Sequence, residues 1–270
     1  MSIVNSISAP EKIFETQGSQ PVLILCDDFN FYVCKYNRWP GSEAKTLFNE
    51  LLAASFAKLW NLAVPEFRFV NINPSHVENF SEIQPAYFNT LCFGSRYNKK
   101  FIDIDEFYAE ISVTEKRRFR QKTDFLKIAL FDLWLGNEDR NFNNYNLLID
   151  IENGYRFVPI DHVNIFNSGN PDKKPVLLTE EDSLISTALI RRLFSRNELL
   201  NREYLTDIKN ECYICIANCE KHVNDFLDIV PAGWNIDTNK YRSLLSENLF
   251  SKVWIDACLK YFLELIQHQI

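Results

Sequence analysis

Three side chains in one short region could do chemistry together: Asp139, Asn144 and Asp161. The stretch Gly136-Asn137-Glu138-Asp139-Arg140-Asn141-Phe142-Asn143-Asn144-Tyr145-Asn146 is a polar loop. It is followed by two strand-like runs, 146–152 and 155–161, joined by Asn153-Gly154. That dipeptide favours a two-residue hairpin turn, because both central positions of a type I′ turn need positive φ. Such a turn sets Asn146 opposite Asp161, with paired Cα atoms about 4.5–5.5 Å apart, and brings Asn144 close to the Asp161 carboxylate. An amide oxygen and a carboxylate at a strand end suit Mg²⁺ held partly by phosphates. Asp139, on the same loop, can accept the proton of an attacking hydroxyl. A positioned base beside ligands for a charge-neutralising metal is what phosphoryl transfer requires. The competing reading is an ordinary polar turn, since Asn and Asp are common turn formers.

The elements that must hold these residues follow from the pattern around them. Phe125 to Leu135 is apolar on most sides, as in a buried helix, and ends at Gly136, a residue type common just past a helix C-terminus. The front of the chain reads as strands at 12–16, 21–27, 30–36, 67–72 and 87–93. A helix from about Ser42 to Asn61 carries Leu47, Leu51, Leu52, Ala54, Phe56 and Leu59 on its apolar face. From about 180 the pattern is helical, roughly 181–195, 202–229, 238–248 and 250–268. A sheet-containing front and a helical back predict an α+β protein of two lobes, 1–95 and 96–270, crossing near Cys92–Tyr97.

Composition limits the partners. The chain has 270 residues, 46% of them hydrophobic, and a net charge of -7, which gives no overall pull toward nucleic acid or anionic lipid. The basic run at 116–120 is expected to be a solvated helix face. No run reaches the roughly 18–20 apolar residues of a membrane span, and residues 1–8 lack a signal-peptide pattern. Seven scattered cysteines suit free thiols in a reducing cytoplasm better than a disulfide framework.

The Asp-x-x-x-x-Asn spacing of Asp139 and Asn144, followed by Asp161, is that of a protein-kinase catalytic loop and its second metal ligand. From Gly18 to about Trp234 the chain resembles the HipA-like kinases, and especially their short standalone branch. The resemblance rests on Gly18-Ser19, Tyr32-Val33-Cys34-Lys35, Asn49-Glu50, Cys92-Phe93-Gly94-Ser95, FDLWLGNEDRNFNNYNLL (131–148) and Val158-Pro159-Ile160-Asp161-His162. It implies a two-lobed protein-kinase-like fold, with a smaller β-rich N-lobe and a larger, mostly helical C-lobe. It also implies ATP with Mg²⁺, and transfer to a serine- or threonine-type hydroxyl acceptor, most simply on protein. By position it makes Lys35 a binder of the α/β-phosphates, Glu50 its holder and Gly18-Ser19 a phosphate loop. Cys92 and Gly94 fall at the crossing against adenine, Asp139 is the base, and Asn144 and Asp161 are metal ligands. No His-Arg dipeptide precedes Asp139, so Asn137 or Arg140 is expected to orient the loop, with Asp132 as a candidate anchor. Larger HipA toxins carry an extra N-terminal subdomain and only about a dozen residues precede the first expected strand here, so an antitoxin-like partner is left open.

Other signals read as packing. Cys212, Cys215, Cys219 and His222 share one helix over about 15 Å, too far to close around one zinc ion at about 2.0–2.3 Å. His162 reads as a neutral histidine beside Asp161. Two rivals to a protein acceptor stand: a lipid, sugar or nucleotide acceptor on the same fold, and a nucleotide-binding pseudokinase.

Overall fold

β-Branched and aromatic residues at period two build the front of the molecule. The computed structural model describes residues 1–15, 20–105, 117–119, 121–152 and 154–270. Strands β1 (Ile3–Asn5), β2 (Lys12–Ile13), β3 (Val22–Leu25), β4 (Phe31–Lys35), β5 (Phe67–Asn71) and β6 (Cys92–Arg96) form one sheet in the order β1-β5-β6-β4-β3-β2. β1 runs parallel to β5 and the other pairings are antiparallel. Alternation gives each face its own core. Tyr32, Cys34, Val70 and Cys92 pack with Val22 and Ile24 on one side. Phe67, Phe69 and Phe93 pack on the other against helix α1 (Lys45–Leu59).

Helix α1 is buried without a break from Leu47 to Ala57, as a helix hydrophobic all round must be. Leu47, Leu51 and Ala54 meet the sheet and Trp234. Phe48, Leu52, Phe56 and Trp60 enter the core of the helical part. There α2 (Thr123–Leu135) supplies Phe131 and Trp134, with the Trp60 and Trp134 rings stacked at 5.6 Å. Burying each such side chain contributes about 1.5–3 kcal/mol, so this one helix ties the sheet to the helices. The helical part continues with α3 (Ala188–Leu193), α4 (Arg196–Leu199), α5 (Arg202–Leu227), α6 (Thr238–Leu244) and α7 (Lys252–His268). Cys212, Cys215 and Cys219 lie in its core, and among the described residues no metal-binding cluster of His, Cys, Asp or Glu occurs. Among the same residues no helix is long and apolar enough to cross a membrane.

Several elements depart from the sequence pattern. Helix α1 begins at Lys45, and the Ser42 hydroxyl donates to Trp39 O at 2.7 Å instead of capping it. Residues 85–88 form a 3₁₀ turn opened by Pro85, so the strand expected from 87 begins only at Cys92. Strand β1 is too short, and β7 (Phe101–Asp103) too weakly patterned, to have been foreseen. β7 joins β8 (Leu147–Asp150) and β9 (Arg156–Pro159) in a second, antiparallel sheet.

The hairpin itself slips by one residue. Leu147 faces Pro159 and Asp150 faces Arg156, so the ladder stops at Asp150 and Arg156, short of the pairing that a two-residue turn would give. Tyr155 N–H, which a two-residue turn would have directed to Glu152 O, goes instead to Arg118 O at 3.0 Å, and Ile151 N–H goes to Lys100 O at 3.4 Å. Asn146 therefore faces Ile160, whose N–H it accepts at 3.0 Å, and Asp161 falls just beyond the ladder. Gly154 still takes a positive φ of 92°; Asn153 lies outside the described residues. Of the basic run at 116–120, Arg117, Arg118 and Phe119 alone are described.

Candidate active site

Strand β4 points Val33 and Lys35 to the α1 side of the sheet, and α1 presents Glu50 one layer below. Glu50 is a charged residue in the middle of a buried helix, 4% exposed, which is tolerable only when paired. Its Oε1 lies 2.5 Å from Lys35 Nζ and accepts the His162 N–H at 2.9 Å. Lys35 Nζ also reaches Asp161 Oδ1 at 2.6 Å. One ammonium thus joins a carboxylate of the helix to a carboxylate at the end of the hairpin. Burial works against the charged lysine, but Glu50 and Asp161 overcome it and hold its pKa above the ordinary value. For Asp161 burial is likewise opposed, and Lys35 prevails, keeping the carboxyl below its usual range. Glu50 is pushed up by burial despite Lys35.

These groups lie along a cavity of about 380 Å³ between sheet and hairpin, a size ordinary for small-molecule sites. Val33, Phe93 and Ser95 line it from the sheet, Ala54 from α1, and Leu148, Pro159, Ile160 and His162 from the hairpin side. Tyr97 and Asn98 close it at the crossing. Cys92 and Gly94, the residues expected against adenine, are absent from this wall. Strand parity turns them to the opposite face, where a Cβ on Gly94 would come within 2.4 Å of Val70 Cγ2. Gly94 therefore serves close packing within the sheet. Reading the alternation from Lys35 through its β6 partner Phe93 would have selected Phe93 and Ser95 from the sequence.

The catalytic-loop candidates are fixed from beneath. Gly136 ends α2 at a φ of 64°, a left-handed conformation that glycine adopts without steric cost. Below the loop Arg140, fully buried, donates from Nε to Asp132 Oδ2 at 2.9 Å and from one terminal nitrogen to Asn146 O and, at 3.0 Å, to Ile160 O. Asn137 Nδ2 donates to Asp132 Oδ1 at 2.8 Å. Burial raises Asp132 to about 6 although Arg140 opposes it. This strut supports the loop in place of a His-Arg pair, and Asp132 is an interior anchor.

Asp139 is half-buried, and Asn146 Nδ2 lies 3.4 Å from its Oδ2. Asn144 closes a tight turn with Asn141, N–H to O at 3.2 Å and 3.0 Å. It does not line the cavity; Asn146 does, beside Asp161, at a φ of 45°. The structure thus brings Lys35, Glu50 and Asp161 together, places Asp139 against Asn146, and leaves Asn144 at the foot of its turn. Gly18 and Ser19 lie outside the described residues. His162 is buried, and burial, then Arg140 and Lys35, push its pKa well below the ordinary value, so it is neutral. The place of Asn146 could not be read from residue type, because the loop offers several asparagines that spacing alone does not rank.

The family model for HipA-like kinases matches residues 11–253. Among solved structures, the crystal structure of the Helicobacter pylori proinflammatory kinase CtkA resembles this fold with a TM-score of 0.54 at 14% identity, covering 98% of this chain and 99% of that one. HipA of Shewanella oneidensis MR-1, solved with HipB and operator DNA, gives a TM-score of 0.46 at 12% identity, covering 94% of this chain and 68% of its own. No curated protein matches the sequence. With the family match spanning most of its length and the kinase-like fold around a lysine held between two carboxylates, the chain belongs to the HipA-like kinases.

Proposed function

We propose that this chain is an ATP-dependent kinase that transfers the γ-phosphoryl group to a serine- or threonine-type hydroxyl, acting as a cytoplasmic protein. The observation that carries the reading is Lys35, held 2.5 Å from Glu50 and 2.6 Å from Asp161 at the edge of the inter-lobe cavity. A lysine charged and fixed in that way is a ready donor to phosphate oxygens. The apolar wall of Val33, Phe93 and Leu148 accepts a flat base.

The donor atoms present fit a magnesium ion. They are hard carboxylate and amide oxygens, and among the described residues no three-ligand cluster would hold a metal without phosphate. Asp161 would hold it together with Asn146, which lines the cavity beside Asp161 where Asn144 had been expected, and when bound it would neutralise charge on the phosphates. The protein does the rest by position. Lys35 draws the phosphates toward Asp161, and Asn146 orients Asp139. Asp139 takes the acceptor's proton as the new O–P bond forms and the bond from phosphorus to the bridging oxygen breaks, releasing ADP.

The test is label transfer from γ-labelled and from α-labelled ATP into cell extract and candidate small molecules. The reading expects γ-label recovered as phosphoserine or phosphothreonine. Label only in lipid, sugar or nucleotide would replace the acceptor, α-label in product would mean adenylyl transfer, and magnesium-dependent binding without turnover would mean a pseudokinase.

A further inference from the structure

Helix α1 is buried from Leu47 to Ala57, and within that stretch its polar side chains are Asn49, Glu50 and Ser55. Ser55 is satisfied inside its own helix, donating to Leu51 O at 2.7 Å. The other two are consecutive, and both reach the residues that follow Asp161. Glu50 Oε1 accepts the His162 N–H at 2.9 Å. Asn49 Nδ2 donates to Val163 O at 2.8 Å and to Gly169 O at 3.1 Å. Both partners are carbonyl oxygens, so the amide nitrogen must face them. The Asn49 amide oxygen is then left buried, with no partner among the described residues. An unpaired buried acceptor is destabilising, and such departures are expected at functional or strained sites.

The backbone that these two side chains grip is strained. Asp161 itself has a φ of 56°. Phe166, Asn167 and Ser168 have φ of 62°, 51° and 65°, and Gly169 follows at 74°. Non-glycine residues visit this left-handed region singly, not in runs, and such geometry persists only when surrounding contacts over-determine it. Residues 163–169 fold back on themselves: a Cβ on Gly169 would meet Val163 O at 2.7 Å and Asn49 Nδ2 at 3.6 Å. Two carbonyl oxygens of like partial charge converge at the neck of this turn, and the Asn49 amide group bridges them. The far side of the turn is held separately, by Asn167 N–H donating to Gly136 O at 2.8 Å. Asp161 and His162 line the cavity, so the neck closes just behind the cavity wall.

We propose that Asn49 is a positioning residue for Asp161: its amide ties the neck of the turn to α1 and so aims the Asp161 carboxylate into the cavity beside Lys35. The proposal rests on the kinase reading given above, in which Asp161 holds the metal. Neighbouring residues on α1 then divide the work. Glu50 lines the cavity and pairs with Lys35 directly. Asn49 lies behind the wall and acts only through the chain that follows Asp161. Without Asn49 the two carbonyls repel each other, and Val163 no longer ties Asp161 to its left-handed conformation. Loss of Asn49 should therefore spare the part of nucleotide binding that runs through Lys35 and weaken the part that depends on magnesium.

The experiment uses the purified full chain and two substitutions that open the neck from opposite sides, each first shown to be folded by its unfolding midpoint. Asn49→Leu keeps a side chain of similar size without the donor. Gly169→Ala drives a methyl group against Val163 O and leaves Asn49 in place. Gly94→Ala, a packing defect within the sheet, is the control for lost stability alone. Calorimetry measures affinity for the β,γ-methylene analogue of ATP with and without magnesium, and hydrogen exchange follows residues 161–169 in the metal-free chain. One lost hydrogen bond corresponds to about fivefold in an equilibrium constant. Both neck variants should lose at least that factor from the affinity that magnesium adds, and exchange faster by at least the same factor. Their magnesium-free affinity should stay within about twofold of wild type, and Gly94→Ala should show neither change. The proposal is overturned if magnesium adds as much affinity to either neck variant as to wild type, or if Gly94→Ala loses as much of it. A parallel fall in magnesium-free affinity would overturn it too, by making Asn49 a general support of the fold. Should the wild type bind the analogue no better with magnesium than without, the metal role of Asp161 fails, and this inference with it.

Discussion

Replacing Arg140 with Met removes a guanidinium that is wholly buried and shared between the loop after α2 and the hairpin. Asp132, whose side chain is 4% exposed, would keep only Asn137 as a side-chain donor. Asn146 O would still accept from Ile160 N–H, so the orphaned carboxylate dominates the cost. Breaking a buried pair in this way costs about 3–5 kcal/mol. The loss should depend on pH with a definite sign. Asp132 sits at about 6 with Arg140 opposing the effect of burial, and without Arg140 it moves higher. Between about pH 6 and 7 the folded variant then holds a proton that the wild type has released, so the variant loses stability relative to wild type as pH rises. The gap should narrow by about 1.4 kcal/mol per pH unit on going from 7 to 6. Urea unfolding at pH 7 and near pH 5.5, followed by tryptophan fluorescence, measures both quantities. Arg140→Lys should fall between the two, since a single ammonium cannot serve Asp132 and both carbonyls. A variant within about 0.5 kcal/mol of wild type at pH 7, or a gap of equal size at both pH values, would refute the strut.

Gly94→Ala should destabilise by about 1–3 kcal/mol through overpacking, since the new Cβ meets Val70 Cγ2 at 2.4 Å. Its ATP affinity, read by calorimetry on the folded variant, should stay within about twofold of wild type, because Gly94 faces away from the cavity; a tenfold loss would put it back at the site. Asp172 is held down to about 2 by Lys240 and Lys45, although burial works the other way. Its contribution should be complete above the ordinary 3.8 and lost as pH falls toward 2. Asp172→Asn should therefore lower the unfolding midpoint at pH 7 and have a smaller effect near pH 3, and equal effects at both would contradict the pairing with Lys45 and Lys240.

Local pattern gave the elements around the candidate site better than it gave the contacts between them. The apolar run ending at Gly136 marked α2 to within two residues at its start, because a helix buried all round leaves an unmistakable composition. Glu50 could be placed near the apolar face of α1, but not the burial of α1 on both sides, which depends on the distant α2 and α5 packing against it. The hairpin was legible in type and wrong in register, because Arg118 claimed the Tyr155 N–H that a two-residue turn would have used. Cys92 and Gly94 were expected along the cavity, but Phe93 and Ser95 line it: neighbouring residues on a strand face opposite sides, and a motif match does not say which side faces the cavity. The left-handed turn at 166–168 had no sequence signal, since Phe, Asn and Ser give no warning of positive φ in succession.

The central claim is that Asp139 and Asp161 act on either side of a transferring phosphoryl group. It is tested most directly by single-turnover transfer from γ-labelled ATP with wild type, Asp139→Ala and Asp161→Ala, each first shown to be folded by its unfolding midpoint. The account predicts label transfer by the wild type in the presence of magnesium, and none by either folded variant. Undiminished transfer by a folded Asp161→Ala protein would contradict it.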